Sequence, residues 1–412
     1  MTAAPPRQPS QRTQRPWIVI AGGGTAGHVL PALSVATELV RRGLAAELIT
    51  FVGSTRGIEA RLVPDAGFAV TLLPGRGIQR KISAQNIVSM WGLVCAAVMA
   101  TTLLARRRPA VVLSVGGYAS VPCVVAAVIL RIPLVVAEQN ARAGVANRMA
   151  ARWARATAVS FVGVNLPRAV FTGNPVRPEL VALAAEPLQV RRHRARATLG
   201  IDAEATALLV FGGSLGARKL NEATCAFVSL YSNSVSPALA KLVVHHVSGE
   251  GEFATVAAWE ANWRQRLDAA PGIDYRLVRY EQRMDLAMAA ADVCLCRAGA
   301  SSVADLAIMG TPALLVPLPI AAEDHQTLNA QAVVDDGAGI LIPDAELTGE
   351  RLAKELTQLL GASTLNDMAA AQQRRSRPGA SAAVVELLLL HAARPLPAAP
   401  LSPTDTVPRN PS

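Results

Sequence analysis

From Trp17 onward the chain repeats one unit: a short apolar run, a Gly-rich turn, then a helical pattern. A strand with one wet face alternates apolar and polar residues. A run without alternation is dry on both faces, as in a parallel sheet covered by helices. Four such runs lie in the first half (WIVIA, ELITFVG, AVVLSVG, LVVAE) and four in the second (ALLVFGG, LVVHHVSG, DVCLC, PALLVP). Their alternation with helices implies two doubly wound α/β domains, not one long sheet. A length of 412 residues agrees, at roughly 150 residues per domain. Two prolines in Gly173-Asn174-Pro175-Val176-Arg177-Pro178 mark the hinge. A crevice between two such domains favours a ligand.

Charge divides at the same place. Residues 1–180 carry 20 Lys+Arg against 6 Asp+Glu, and residues 181–412 carry 20 against 24. The cationic first half suits an anionic membrane surface, a phosphorylated substrate or nucleic acid. Aromatics make up only 4% of the chain and do not interleave with the arginines, which argues against nucleic acid. Five cysteines without framework spacing argue against a disulfide scaffold, and the C-x-C pair Cys294/Cys296 reads as buried strand thiols.

The expected organisation is a disordered arm over 1–15, a Rossmann-like domain over 16–176, and a second over 177–365. A helical segment over 366–392 and a Pro-rich disordered tail over 393–412 follow. The arm has no apolar core and is no secretory signal. Between Ile82 and Ala105 no residue is charged, and Arg106, Arg107 and Arg108 follow. By length this run could span a bilayer, although Ser83, Gln85, Asn86, Ser89, Thr101 and Thr102 interrupt it. It also reads as a buried helix, or as a helix with an exposed stripe of Ile87, Trp91, Val94 and Val98 flanked by basic residues, the pattern of a monotopic membrane contact.

Four Gly-rich turns follow strands: Gly22–Gly27, Gly116-Gly117, Gly212–Ala217 and Arg297–Ala300. Glycine lets backbone approach a ligand, and the next helix N-terminus offers N–H groups to an anion. Four such loops in two facing domains point to diphosphate and sugar binding. Gly22, Gly24 and Gly27 satisfy G-x-G-x-x-G, but no acid ends the second strand, which disfavours a dinucleotide and hence an NAD oxidoreductase. No P-loop and no metal-ligand motif appears, so neither cofactor nor metal is expected, and helix N-termini must stabilise any leaving diphosphate.

Taken together, Gly23-Gly24-Thr25-Ala26-Gly27-His28, Gly116-Gly117-Tyr118, Glu138-Gln139-Asn140, Gly173-Asn174-Pro175-Val176-Arg177, Gly212–Ala217, Arg297-Ala298-Gly299-Ala300 and Asp324-His325-Gln326 with Asn329-Ala330 resemble, in order, the motifs of the MurG family. These bacterial transferases add N-acetylglucosamine from UDP-GlcNAc to lipid I, giving lipid II. The resemblance implies a GT-B fold, an inverting mechanism, and a peripheral place on the cytoplasmic face of the cell membrane. Implied partners are UDP-GlcNAc, lipid I, the anionic membrane and other cell-wall synthesis and division proteins, with no nucleic acid. It makes His28 the general base. It assigns Thr25, Gly27, Asn140, Arg177, Ser214, Tyr280, Glu281, Ala300, Asp305, His325 and Gln326 to the donor, and Gly24, Gly116, Gly117, Tyr118 and Glu138 to the acceptor. The family's ribose-binding glutamate is here Asp305, and the apolar partner in its uracil-bracketing pair is here Glu281, beside Tyr280. Rival readings are another GT-B UDP-sugar transferase with a lipid or glycoside acceptor, and a catalytically dead sugar-nucleotide-binding scaffold.

Overall fold

The apolar runs form the centres of two parallel sheets. The structure is a computed structural model and describes residues 15–74, 84–213, 216–231, 241–266, 272–360 and 363–397, with backbone only at 84–91 and 322. The expected arm over 1–14, the tail over 398–412, Ser214, and the side chains of Ile87 and Trp91 lie outside the described residues.

In the first half the elements run β1 (Ile18–Gly22), α1 (Ala26–Arg41), β2 (Ile49–Ser54), α2 (Glu59–Asp65), β3 (Ala69–Leu73), α3 (Ala84–Arg107), β4 (Val111–Gly116), α4 (Val121–Ile129), β5 (Leu134–Glu138), α5 (Val145–Ala150), β6 (Ala156–Val159) and β7 (Ala169–Phe171). The second half begins with α6 (Pro178–Ala184) and α7 (Leu188–Leu199), then β8 (Thr206–Phe211), α8 (Arg218–Tyr231), β9 (Leu242–Val247), α9 (Phe253–Gln265), β10 (Ile273–Val278) and α10 (Met284–Ala290). It continues through β11 (Val293–Cys296), α11 (Ala300–Met309), β12 (Ala313–Leu315), α12 (His325–Asp335), β13 (Gly339–Leu341), α13 (Gly349–Leu360), α14 (Thr364–Arg375) and α15 (Ala380–His391).

The sheet orders are β3-β2-β1-β4-β5-β6-β7 and β10-β9-β8-β11-β12-β13. Each is doubly wound, with a switch point between β1 and β4 or between β8 and β11, where ligands of open α/β sheets bind. The lack of alternation has a direct cause. Ile18 and Ile20 join the core under α1, whereas Val19 and Ala21 join the core on the opposite face. Leu208 and Val210 divide from Leu209 and Phe211 in the same way.

At the first switch point the register slips by one residue, so that Ala21 pairs with Ser114 but Gly22 pairs with Gly116. A Cβ on Gly22 would lie 2.6 Å from the Gly116 carbonyl oxygen. Two Gly-rich turns can therefore leave the sheet side by side only without side chains.

The chain then returns. On α15, Val384, Val385 and Leu388 are buried in the core that holds Trp17 and Ile18, and Glu386 pairs with Arg42 at 2.5 Å. The two interdomain crossings touch: Gly173 has φ +77°, and a Cβ on it would lie 2.5 Å from that of Arg377. The Pro-rich segment is not free from 393, as composition suggested. Ala393 N–H donates to Ala110 O at 2.9 Å, and the buried Trp17 indole N–H donates to Pro395 O at 2.9 Å. A Pro-rich strand keeps its carbonyls free to accept, and a buried indole needs such an acceptor.

From Ala84 onward the uncharged run lies within α3, and Ile82 and Ser83 fall outside the described residues. Ala96, Ala100 and Leu104 are buried, but Val94 and Val98 are 48% and 62% exposed, so the helix has both a core face and a bare apolar stripe. No helix among the described residues is long and apolar enough to cross a membrane. Cys294 and Cys296 are fully buried in β11.

Candidate active site

The site begins where β1 ends. Gly22, Gly23 and Gly24 all have positive φ, a path that L side chains resist, and α1 starts two residues later. His28 sits in the first turn of α1, with its Nδ1 3.2 Å from Thr25 Oγ1. The second Gly-rich turn closes against it: Gly117 has φ +74°, and a Cβ there would lie 2.8 Å from Gly23 O and 3.8 Å from His28 Nδ1. Burial holds the imidazole below its usual pKa, with Glu138 and Glu59 pulling it up and His325 pushing it down. His325, from the second half, thus lies near enough to act on the His28 imidazole. Gly24 and Gly27 leave that side of the loop open, since a Cβ on Gly24 would meet nothing within 4 Å.

Glu138 ends β5 and is buried. Its Oε1 accepts from Asn140 N at 2.9 Å and Asn140 Nδ2 at 3.2 Å, and its Oε2 from Gly144 N at 3.0 Å and Asn147 Nδ2 at 2.9 Å. With both oxygens so engaged, the carboxylate holds its own loop. Asn147 in turn backs Gly116, where a Cβ would lie 2.9 Å from Asn147 Nδ2. The Tyr118 hydroxyl is likewise engaged, 2.9 Å from Ser54 Oγ.

On the other side, the turn after β8 is packed so tightly that neither Gly212 nor Gly216 has room for a Cβ against Ala217 and Ser248. Beneath it, His246 lies between Tyr275 Oη at 2.8 Å and Asn221 Oδ1 at 2.9 Å. Burial pushes His246 down to about 3, so this histidine is a neutral strut. Ala300 opens α11, whose N-cap, Gly299, supplies no capping side chain. The N–H groups of that first turn suit an anion.

Arg177 Nη2 donates to Asp305 Oδ2 at 3.2 Å. Burial raises Asp305 to about 6, with Arg177 opposing. At the ends of β9 and β10, Glu281 Oε2 lies 3.0 Å from His245 Nε2 and its Oε1 accepts from Arg283 N, while Tyr280 stands exposed. Burial holds His245 below its usual pKa although Glu281 opposes, so a neutral ring hydrogen-bonds the Glu281 carboxylate. Gln326 Oε1 accepts from Leu318 N, fixing the loop before α12.

The halves meet at Asn329. Its Oδ1 accepts from Ala141 N at 2.8 Å, and its Nδ2 donates to Asn140 Oδ1 at 3.2 Å and Ala298 O at 3.1 Å. Arg148 pairs with Glu323 at 3.0 Å nearby. The structure thus brings Gly24, Thr25, His28 and Gly117 together, sets Glu138, which holds Asn140, and His325 near them, and gathers Arg177, Ala300 and Asp305 along α11. Tyr280 and Glu281 form a third cluster, and Val94 and Val98 lie apart on α3. The motif reading assigned no role to Glu59 or Asn329. Asn329 was at least part of a quoted motif, whereas Glu59 carried no signal beyond lying five residues past β2. No group of three or more His, Cys, Asp or Glu among the described residues could hold a metal.

The glycosyltransferase family 28 N-terminal domain matches residues 18–159, and the family's C-terminal domain matches residues 207–384. A UDP-N-acetylglucosamine--N-acetylmuramyl-(pentapeptide) pyrophosphoryl-undecaprenol N-acetylglucosamine transferase from Acidothermus cellulolyticus is 41% identical over 83% of this chain and 89% of its own. One of the same name from Nocardioides sp. is 39% identical over 89% and 93%. Among solved structures, Acinetobacter baumannii MurG superimposes with a TM-score of 0.68 at 28% identity, over 90% of this chain and 98% of its own. A UDP-GlcNAc 2-epimerase from Neisseria meningitidis, at 15% identity and a TM-score of 0.59, shares the fold alone.

Proposed function

The chain belongs to glycosyltransferase family 28, and from that premise we propose that it transfers N-acetylglucosamine from UDP-GlcNAc to the C4 hydroxyl of MurNAc in undecaprenyl-pyrophosphoryl-MurNAc-pentapeptide, lipid I, to give lipid II. The observation that carries this reading is the approach of the two halves around His28: Glu138, whose carboxylate holds Asn140, and His325 of α12 both act on its imidazole, and Asn329 of α12 bonds Asn140.

The chemistry follows from those positions. The C4 oxygen attacks the anomeric carbon as its proton passes to His28, the C–O bond to UDP breaks, and the configuration inverts in one displacement. Nδ1 faces Thr25 Oγ1, which leaves Nε2 as the proton acceptor. Burial and the α1 N-terminus keep the ring neutral at physiological pH, the form a base requires. The departing diphosphate gains charge and is met by the N–H groups at the start of α11 and in the turn after β8, fixed dipoles that need no reorganisation. Asp305, oriented by Arg177, receives the ribose hydroxyls, and Asn140 the transferred sugar. Glu138 acts by shaping the loop that presents Asn140.

The acceptor's lipid requires a membrane nearby. Val94 and Val98 on α3, with Ile129 on α4 and Trp153 beyond α5, are exposed apolar groups close to exposed Arg106, Arg108 and Arg131. Apolar insertion and attraction to anionic lipid act together on such a face, which we place on the cytoplasmic leaflet.

A lipid I analogue lacking the MurNAc C4 hydroxyl tests the assignment. It should accept no sugar while the parent analogue does; transfer to both would move the reaction to another hydroxyl.

A further inference from the structure

The first turn of α2 carries a carboxylate that the chemistry above leaves unused. Glu59 is 1% exposed; its Oε2 accepts from Gly24 N at 2.7 Å and its Oε1 from Ser54 N at 2.8 Å. Gly23, Gly53 and Gly57 close round it so tightly that a Cβ on any of them would strike the Glu59 side chain. Burying a carboxylate is costly unless its oxygens are hydrogen-bonded, so a cradle of three glycines and two directed N–H groups is a built feature. The atoms it joins are informative. Gly24 directly precedes Thr25 and leads into His28, while Ser54 also bonds the Tyr118 hydroxyl through its own Oγ. The carboxylate thus fastens the first Gly-rich loop to the end of β2, where the hydroxyl of the same Ser54 holds Tyr118 of the second.

We propose that Glu59 is a positioning residue of the transfer reaction, one that fixes the loop before His28 and lends the site a buried negative charge. The inference rests on the reading of His28 as base. The charged groups acting on the imidazole are Glu138 from β5, Glu59 from α2 and His325 from α12; the two carboxylates raise its pKa and His325 lowers it. Glu59→Gln removes one negative charge and sets an NH2 group against a backbone N–H. Glu59→Asp keeps the charge and shortens the reach.

The test is the pH profile of kcat/KM for wild type, both variants and His28→Ala. Glu59→Gln should lower kcat by about 10²-fold, the scale of a misplaced catalytic group, with a UDP-GlcNAc KM within about threefold of wild type. Its acid limb should move to lower pH, because the base has lost a charge that favoured its protonated form. Glu59→Asp should lose kcat with its acid limb unmoved. If Glu59→Gln does not fold, Glu59→Asp decides, and wild-type kcat there overturns the proposal. A Glu59→Gln profile that overlays wild type, or drops equally at every pH, also overturns it. His28→Ala with wild-type turnover would instead remove the base assignment, which separates the two failures.

Discussion

Asn329 donates from Nδ2 to Oδ1 of Asn140 at 3.2 Å, joining residues 189 positions apart and binding the two halves of the chain. The Asn329 side chain is fully buried, and its Oδ1 also holds Ala141 N. Asn329→Ala strands these groups, at about 1–3 kcal/mol for each buried group left unsatisfied. The expected outcome is a lower melting temperature and a fall of at least about tenfold in kcat/KM, because the side chain that joins the two halves also holds Asn140, the residue proposed to meet the sugar. Calorimetry and steady-state kinetics on one preparation check both.

Gly117→Ala should damage catalysis more than donor binding. The position has φ +74° and lies against Gly23 O, so a methyl displaces one Gly-rich loop from the other. Strain of about 1–3 kcal/mol is expected in stability. kcat should fall while the UDP-GlcNAc KM changes little, as the proposed donor contacts of Asp305 and the α11 N-terminus in the second half predict.

Asp305 makes stability depend on pH in a defined window. Its folded pKa, about 6, lies above the ordinary carboxylate value of 3.8. The folded state therefore holds this proton more tightly than the unfolded one. That contribution is complete below the unfolded pKa and is lost as pH rises through about 6. Asp305→Asn, which cannot ionise, should gain stability relative to wild type as pH rises from about 4 to about 6, by an amount on the order of 2 kcal/mol. Denaturant midpoints across that range check it.

Val94→Asp combined with Val98→Asp should abolish sedimentation with phosphatidylglycerol vesicles. Transfer to a short-chain acceptor in detergent-free buffer should remain, because these side chains lie on α3, away from the cleft. Loss of both activities together would tie the stripe to folding.

Much of this was legible in the sequence where one rule dominates. The eight apolar runs are strands β1, β2, β4, β5, β8, β9, β11 and β12, since burial on both faces removes the apolar–polar alternation. Three of the other five strands escaped the pattern for physical reasons. β7 is a wholly exposed edge, β10 carries Asp274 and Arg276, and β3 is only partly buried. His28 was legible because a Gly-rich turn opening a helix constrains its own neighbours. Glu59 was not, because its role depends on a loop folding back over it from β1. The Asn140–Asn329 bond is set by the closure of two domains, which no local spacing encodes. Glu138 and Glu281 could be singled out in the sequence, but their hydrogen-bond partners, Asn147 and His245, come from elsewhere in the fold.

The most direct measurement of the central claim is transfer of radiolabelled N-acetylglucosamine from UDP-GlcNAc to a short-chain lipid I analogue, with a simple lipid and a simple glycoside acceptor run in parallel. The account predicts label on the lipid I analogue alone, in a β-1,4 linkage. Label on the glycoside or simple lipid instead, or none on any acceptor while UDP-GlcNAc still binds, would contradict it.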